Sequence, residues 1–383
     1  MPDKKRAIKI NYCDSSGDKY DKYAMSIIEK YLSEDYDLVF CDEPDFLFCF
    51  PYTTNFMRYK NCVKIFFYGE NVVPNFNYYD YAIGFHDMKF NGRHLCLPYF
   101  NEFIPELADI GKKDLPEGTV ARRFCNFVYS NSGMGSGTVL RREFAEKLMK
   151  YKRVDCPGKV LRNMDGGVNG RASDDWSGGM ISFTGNYKFT IAFENSSQLG
   201  YITEKICQPF LGRSIPIYWG APDVTSYFNP RAFINCGDYE TMDDAMKKVI
   251  ELDNDDDAYM NMLREQPLKD KAILRVEDTA VANFLRAIIE HGNKPFYRDE
   301  LHWDVMSQHL DRRIIKVNLL CTWFYYLCIS VLSVIFPKKC GSRKEIYRKR
   351  LECALNLRKN YRGIFAVALS RLASVVKAKF RRM

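Results

Sequence analysis

The sequence lacks the residue patterns of proteins that are stabilised by bound metal ions, rich in disulfides or built from repeats. Its 383 residues include only five histidines, and its thirteen cysteines contain no Cys-x-x-Cys pair. Zinc sites and disulfide frameworks rely on regularly spaced ligands, so we expect neither and predict no metal site. Internal repeats and low-complexity tracts are absent, which excludes solenoids and fibrous proteins. The 46% of hydrophobic and 27% of charged residues are typical of a globular protein.

The cysteines and the N-terminus both indicate a reducing compartment. Residues 1–12 are a charged run followed by a short apolar stretch, unlike a secretory signal. Cys41, Cys49, Cys125 and Cys236 stand inside apolar runs, where cysteine serves as a small buried side chain. We therefore expect free thiols and a cytoplasmic protein.

The net charge of +8 belongs to one end of the chain. Residues 338–383 contain fifteen Lys or Arg and two Glu, a charge of +13, so the remaining residues carry +8 − 13 = −5. We find no nucleic-acid recognition motif beside this basic tail and predict no nucleic-acid partner. Because the tail follows an apolar segment, we predict instead that it binds an anionic membrane surface.

The apolar segment, residues 317–336, has twenty residues without a charge. It is long enough to cross a hydrocarbon core of ~30 Å, but a span would put the basic tail outside the cytoplasm, against the positive-inside tendency. We therefore predict a protein held peripherally on the inner face of the cell membrane. A buried core helix over the same residues stays open as an alternative.

The rest of the sequence alternates apolar runs with helical patterns. Continuous apolar runs are typical of buried parallel strands, at residues 7–12, 38–40, 46–50, 63–67, 125–129, 189–193, 215–219 and 232–235. Helical spacing falls between them, at residues 23–32, 141–150, 204–211 and 242–252. The pattern predicts an α/β protein with two Rossmann-like domains facing a cleft.

A Gly-rich polar stretch at residues 151–170 has the composition of a linker or loop between domains. We therefore predict an N-terminal domain at residues 1–155 and a second domain at 156–300. The apolar segment and a basic amphipathic tail follow at 301–383.

The densest group of chemically active residue types lies in residues 188–224. Glu194 and Asn195 end a predicted strand, at the sheet edge where ligands of α/β proteins bind. Thr203 suits a helix N-cap, which places Glu204 and Lys205 in the first helical turn. A helix N-terminus with a lysine suits a pyrophosphate, and Glu204 can accept hydrogen bonds from ribose hydroxyls. Each residue alone has a structural explanation, so the cluster is what favours a binding site.

Several stretches of the sequence resemble the motifs of a known family. AFENSSQLGYITEKI, followed by IPIYWGAPDV, is similar to the donor-binding signature of the bacterial α-1,3/4-fucosyltransferases. FFYGENVVPNFNYYDYAIGF resembles their acceptor-side motif, and FVYSNSG and YKRVDCPGKVLRN resemble the stretch between their domains. The resemblance implies a GT-B fold, an acceptor-side domain at 1–155, a GDP-fucose-binding domain at 156–300 and inversion at the anomeric carbon.

The resemblance also implies roles for single residues. It places the catalytic set at Glu70, Glu204 and Lys205, with Glu70 as general base. It places the donor-binding set at Arg162, Glu194, Asn195, Tyr201, Glu204 and Lys205. Within that set, Arg162, Tyr201 and Lys205 hold the diphosphate, and Glu204 holds the ribose.

These residue types suit sugar transfer. A sugar hydroxyl has a pKa far above seven, so a carboxylate must take its proton as the oxygen attacks. The departing GDP gains negative charge, which Arg162, Lys205 and a helix dipole stabilise. Such cations remove the need for an obligatory metal cofactor and leave GDP-fucose as the co-substrate. The acidic run at residues 253–257 resembles a metal-binding motif, but its place after a helix favours a solvated helix end.

The implied function is α-1,3-fucosyl transfer to GlcNAc of an N-acetyllactosamine-type glycan, such as lipopolysaccharide, giving Lewis-type structures. An α-1,4 linkage and a GT-B transferase with another nucleotide sugar stay open, as does a non-catalytic membrane-bound glycan-binding module. His86 and His94 flank the acceptor-side motif, but satisfied or surface histidines are the simpler interpretation. Trp176 and Trp219 are candidates for stacking on a sugar or base, although Trp219 also suits the core.

Overall fold

The structure is a computed structural model that describes residues 5–13, 18–51, 55–67, 70–111, 114–115, 118–131, 136–165, 168, 176–269, 276–296 and 324. The predictions for the apolar segment and the basic tail fall outside these residues, apart from the exposed Phe324. In the part of the chain that is described, no helix has both the length and the apolar character needed to cross a membrane.

The chain divides into two compact units. One holds the described residues up to Ile65, Asn75–Asp80 and the described residues from Gly292 onward. The other holds Phe66–Pro74 and Tyr81–His291. The domain boundaries predicted near residues 155 and 300 stay predictions.

The first unit is built on strands in the order β2-β1-β3-β4. They are β1 (Arg6–Cys13), β2 (Tyr36–Phe40), β3 (Phe46–Cys49) and β4 (Val63–Phe67), whose first residues belong to this unit. β1 pairs in parallel with β2, Ile8 opposite Leu38, and with β3, Ile10 opposite Phe46. The helix α1 (Asp18–Leu32) connects β1 to β2. β3 and β4 are buried along their whole length, as strands covered on both faces are.

The second unit contains a parallel sheet with the order β11-β10-β9-β7-β8. Its strands are β7 (Arg123–Asn126), β8 (Val154–Asp155), β9 (Tyr187–Phe193), β10 (Ile215–Trp219) and β11 (Ile234–Asn235). The helices of this unit that follow β7 are α3 (Ser136–Leu148), α4 (Trp176–Thr184), α5 (Glu204–Leu211), α6 (Val224–Tyr227), α7 (Met242–Asp253), α8 (Asp256–Arg264) and α9 (Asp278–His291). The same unit holds the parallel pair β5 (Tyr81–Gly84) and β6 (His94–Cys96), followed by α2 (Ile104–Ile110).

The strand order of this sheet reverses between β7 and β9. From β7 the chain passes through α3 to β8 on one side, and from β9 it passes through α5 to β10 on the other. Loops after the two strands therefore diverge and leave a crevice at their carboxyl ends. Ligands of open α/β sheets bind at this point.

β9 is the centre of the core of the second unit. All seven of its side chains are buried, because helices cover both faces of the sheet. Phe189 and Phe193 join an apolar cluster with Phe144 and Leu148 of α3, while Ala192 joins a second cluster on the opposite face. Successive side chains of a strand point to opposite faces, so one strand serves both clusters.

Most predicted elements are present, and three have the predicted bounds. β4, α5 and β10 begin and end at the predicted residues. The strand predicted at 125–129 instead ends at Asn126, and the one at 232–235 shrinks to β11. The Gly-rich stretch at 151–170, predicted as a linker, contains β8, which pairs with β7.

The acidic run at residues 253–257 follows the end of α7, and residues 254–257 are exposed, as the sequence suggested, but Asp253 is buried. The Asp253 side chain is 1% exposed and lies 2.9 Å from Lys152 Nζ and 3.6 Å from Lys188 Nζ. Asp255 caps α8 by accepting a hydrogen bond from the Ala258 amide. Of the cysteines predicted to be buried, Cys41 is only half-buried.

Candidate active site

A cavity of about 520 Å³ lies at the carboxyl ends of β7, β8 and β9. Its wall includes Asn131 after β7, Lys159 after β8 and Asn195 after β9. The first residues of α5, Glu204 and Lys205, complete this side. The cavity therefore occupies the position where the strand order reverses.

Lys205 is held in the wall by the oxygens of three residues. Its Nζ lies 2.9 Å from Thr203 Oγ1, 3.1 Å from Glu194 Oε2 and 3.2 Å from Glu204 Oε1. Glu194 is fully buried and also accepts hydrogen bonds from the Thr203 amide at 2.8 Å and the Thr203 hydroxyl at 2.9 Å. Gly220 leaves room for this carboxylate, since a Cβ there would lie 2.5 Å from Glu194 Cγ.

The same contacts establish the start of α5. Thr203 has extended backbone angles, and its side-chain oxygen accepts a hydrogen bond from the Lys205 amide, which confirms its predicted N-cap role. The positive end of the helix dipole and the Lys205 ammonium thus lie together at the cavity.

Burial and charge act in opposite directions on the pKa values of these groups. Burial alone would lower the pKa of Lys205, but the carboxylates of Glu194 and Glu204 raise it above its usual value. Burial raises the pKa of Glu194, and the Lys205 ammonium opposes that shift. Lys205 is therefore a cation at neutral pH, as binding of an anion requires.

Asn195 is oriented by a buried arginine. Arg141 on α3 is 1% exposed, and its guanidinium donates hydrogen bonds to Asn195 Oδ1 at 2.9 Å and to the Asn131 carbonyl at 2.7 Å. It also lies over the Tyr129 ring, 3.9 Å from the ring centroid. Because a guanidinium only donates, it orients the Asn195 amide oxygen toward itself.

Glu70 lines the same cavity from the segment that follows β4. Tyr201 donates a hydrogen bond from its Oη to Glu70 Oε2 at 3.4 Å. Beside it, Asn71 Nδ2 donates to Ser196 Oγ at 2.7 Å. Two hydrogen bonds thus attach the segment carrying Glu70 to the loop after β9.

The structure brings five of the predicted site residues to one cavity, namely Glu70, Arg162, Asn195, Glu204 and Lys205. Arg162 is exposed and forms an ion pair with Asp165 at 3.3 Å. Glu194 was expected to line the donor site, but it is fully buried behind Lys205. Tyr201 is 2% exposed and reaches the site through Glu70.

The cavity is also lined by three residues that the sequence pattern did not indicate, Arg141, Lys159 and Gln208. Arg141 stands at helical spacing with Phe144 and Leu148, both fully buried. A charged residue on the apolar face of a helix is the signal by which it could have been found.

Among the described residues, His86, His94 and Trp219 are not in the cavity lining. His86 is 9% exposed, and burial followed by the nearby His94 lowers its pKa. Trp219 packs on the core beside Phe193, with 6.3 Å between ring centroids. Within the described ranges no three His, Cys, Asp or Glu side chains are grouped so that they could hold a metal ion.

Comparison with known proteins identifies the family. Residues 10–103 match the N-terminal domain of α-(1,3)-fucosyltransferase FucT, and residues 121–277 match the C-terminal part of glycosyltransferase family 10 (fucosyltransferase). The chain belongs to the fucosyltransferase family. The two matches together include every predicted site residue, from Glu70 to Lys205.

Two curated fucosyltransferases illustrate the relationship. An α-(1,3)-fucosyltransferase FucT of Helicobacter pylori is 29% identical over 301 residues, which are 68% of this chain and 60% of that protein. A GDP-fucose protein O-fucosyltransferase 3 of Xenopus tropicalis is 28% identical over 212 residues, 53% of this chain and 42% of that protein. This chain thus spans less than two thirds of the length of either relative.

Solved fucosyltransferase structures share the fold. One α1,3-fucosyltransferase superimposes with a TM-score of 0.61 at 24% identity, over 78% of this chain and 95% of that one. An α1,3-fucosyltransferase crystallised with GDP-fucose gives a TM-score of 0.60 at 27% identity, over 78% and 95%. The α/β fold of the GT-B class predicted from the sequence is therefore confirmed.

Proposed function

We propose that this chain transfers L-fucose from GDP-fucose to GlcNAc of an N-acetyllactosamine-type glycan, forming an α-1,3 linkage with inversion. The observation that carries the proposal is one cavity lined by a carboxylate, Glu70, and by two cations, Arg162 and Lys205. Family membership and the solved relative with GDP-fucose support the donor. The H. pylori relative supports the linkage.

Arg162 and Lys205 suit the diphosphate of the donor. Negative charge grows on the leaving GDP as the bond to the fucose C1 carbon lengthens, and cations already in position stabilise it without reorganising. Lys205 adds the positive end of the α5 dipole to its own charge. Glu204, in the same helical turn, suits the ribose hydroxyls.

Glu70 suits the role of general base. In this mechanism it takes the proton of the acceptor hydroxyl while that oxygen attacks C1 from the face opposite to GDP, which inverts the anomeric configuration. The hydrogen bond from Tyr201 orients the Glu70 carboxylate for this transfer.

The test is linkage analysis of the product. The protein is incubated with GDP-fucose and N-acetyllactosamine, and NMR identifies the linkage formed. Fucose on O3 of GlcNAc supports the proposal, whereas fucose on O4 would show that the enzyme forms an α-1,4 linkage. Turnover with GDP-mannose or a UDP-sugar, but not with GDP-fucose, would show that the donor is a different nucleotide sugar. Failure to release GDP with any acceptor would favour a glycan-binding module.

A second candidate has a protein acceptor. The similarity to the protein O-fucosyltransferase 3 of Xenopus tropicalis, 28% over 53% of this chain, favours a serine or threonine hydroxyl. The chemistry at Glu70 would be unchanged, because both acceptors are alcohols. Fucose transfer to folded protein substrates but not to N-acetyllactosamine would establish this candidate.

We also propose that the enzyme works at the cytoplasmic face of the cell membrane on a surface-glycan precursor such as lipopolysaccharide. The basic tail, with fifteen Lys or Arg in residues 338–383, supports attraction to anionic lipid. Fucose on O3 of GlcNAc in N-acetyllactosamine would make the product a Lewis-type structure. Metal independence stays part of the proposal, because Arg162 and Lys205 supply the charge that a metal would otherwise provide.

A further inference from the structure

The Lys205 ammonium is already saturated by protein oxygens. It has three protons, and oxygens of Thr203, Glu194 and Glu204 lie within 3.2 Å of Nζ. A diphosphate oxygen that binds Lys205 must therefore displace one of the three partners or share a proton with it. The proposed donor contact is thus an exchange of ligands on the ammonium.

Two of the three partners are unsuited to displacement. Glu194 is fully buried and Thr203 is 1% exposed. Glu194 accepts hydrogen bonds from the amide and the hydroxyl of Thr203, and the oxygen of that hydroxyl accepts a hydrogen bond from Lys205. Releasing Glu194 would leave a fully buried carboxylate without its counter-ion, and releasing Thr203 would remove a hydrogen bond that solvent cannot replace, so either exchange is costly.

Glu204 differs from the other two partners. Its side chain is 12% exposed, and it lines the cavity together with Lys205. It can leave Lys205 for another group in the cavity without being stranded in an apolar interior. It is also the carboxylate assigned to the ribose of the donor.

We propose that a diphosphate oxygen of the donor replaces the Glu204 carboxylate on Lys205, while Glu194 acts as a positioning residue that keeps the ammonium in the cavity wall. Glu204 is thereby released to accept hydrogen bonds from the ribose. The inference rests on the proposed function, since it requires a donor with a diphosphate and a ribose.

The exchange predicts opposite effects of one substitution on two ligands. Glu204→Gln weakens the contact that competes for Lys205, so inorganic pyrophosphate should bind roughly tenfold tighter, the value of about one charge-assisted hydrogen bond. The affinity for GDP should rise by a smaller factor, or fall, because the same substitution removes a charged hydrogen-bond acceptor from the ribose. Tighter or weaker binding of both ligands by the same factor would overturn the exchange.

A double-mutant cycle separates exchange from simple repulsion. Calorimetry measures pyrophosphate binding to the full chain, to Glu204→Gln, to Lys205→Met and to the double variant. Exchange predicts that the tenfold gain falls to roughly threefold or less when Lys205 is absent. Repulsion between Glu204 and the anion predicts the same gain in both backgrounds, and that result would overturn the proposal. If Lys205→Met does not fold, Lys205→Gln completes the cycle.

Two controls make the result specific. Glu146→Gln removes an exposed carboxylate of α3 that pairs with Arg142, and pyrophosphate binding should not change. GDP binding by the unaltered protein tests the proposed function separately. If GDP does not bind, the proposed function fails. If GDP binds and the cycle shows no coupling, only the exchange fails.

Discussion

The Tyr201 hydroxyl and the Glu70 carboxylate meet at 3.4 Å, which connects the loop before α5 to the segment that carries the proposed base. Tyr201 is 2% exposed and its ring lies 5.3 Å from that of Phe85, so the hydroxyl has little freedom. Removing it by Tyr201→Phe should lower kcat roughly fivefold, the value of about one hydrogen bond. The rate is measured with GDP-fucose and N-acetyllactosamine, and an unchanged kcat would show that Tyr201 does not position the base.

Substitution of the proposed base, Glu70, should lower kcat far more than Tyr201→Phe does. Glu70→Gln keeps the shape of the side chain but cannot take a proton, so kcat should fall by roughly two to four orders of magnitude. GDP affinity, measured by calorimetry, should stay near that of the unaltered protein, because Glu70 is assigned to the acceptor. Near-normal turnover in this variant would contradict the assignment.

Lys205 and Arg162 should contribute unequally to GDP affinity. Lys205 is 13% exposed and surrounded by oxygens, whereas the Arg162 side chain is 58% exposed. Lys205→Ala should weaken GDP binding by roughly a hundredfold, and Arg162→Ala by roughly tenfold or less, because solvent screens the exposed charge. Arg142→Ala, an exposed arginine of α3, is the matched control. Unaltered GDP affinity in both site variants would refute the diphosphate roles.

Local sequence signals predicted the part of the site around α5. Thr203, the two charged residues after it and the apolar run of β10 are neighbours along the chain, so their pattern predicts both elements. Arg141 escaped prediction because its contacts with Asn195 and Asn131 arise only when α3 packs on the sheet. Glu194 was placed at the correct strand end, but which side of Lys205 it occupies depends on tertiary packing.

Long-range ion pairs explain the other departure from the sequence-based interpretation. Asp253 stands in a run of acidic residues that predicts exposure. Its burial depends on Lys152, which is 101 positions away along the chain, and on Lys188, which is 65 positions away. A buried carboxylate requires such partners, and the sequence does not reveal that they meet.

Stability should fall on acidification because of His86. Burial, with help from His94, lowers the pKa of His86 in the folded state below the ordinary value of about 6.5. Below that pH the unfolded chain therefore binds more protons than the folded chain, and stability is lost as pH falls toward the folded pKa. His86→Phe should reduce the loss of Tm between about pH 7.5 and about pH 5.5. His291→Gln, at an exposed position, is the control, and an equal loss in all three proteins would exclude His86.

The tail should determine membrane association. Residues 338–383 carry +13, so high salt should release much of the protein from membranes if anionic lipid holds it. Truncation before Arg312 should give a protein that stays in the supernatant and keeps its transfer activity. Full retention through carbonate would indicate a true span. Absence from membranes in the full chain would favour a core helix.

Two helical glycines should respond in opposite ways to alanine. A Cβ on Gly137 of α3 would overlap the Glu194 carbonyl and lie 2.6 Å from Trp219, whereas a Cβ on Gly179 of α4 would meet no heavy atom of the described residues within 4 Å, apart from its chain neighbours and its own helix backbone. Gly179→Ala should therefore raise the free energy of unfolding by about 0.5–1 kcal/mol, the usual gain in a helix.

Gly137→Ala should instead lower the free energy of unfolding by about 1–3 kcal/mol, since backbone must move to admit the methyl group. The displaced backbone is that of Glu194, which holds Lys205, so GDP affinity should fall with stability in this variant alone. Chemical denaturation and calorimetry measure the two quantities. Equal effects of the two substitutions would show that α3 can move away from the strand end without disturbing the site.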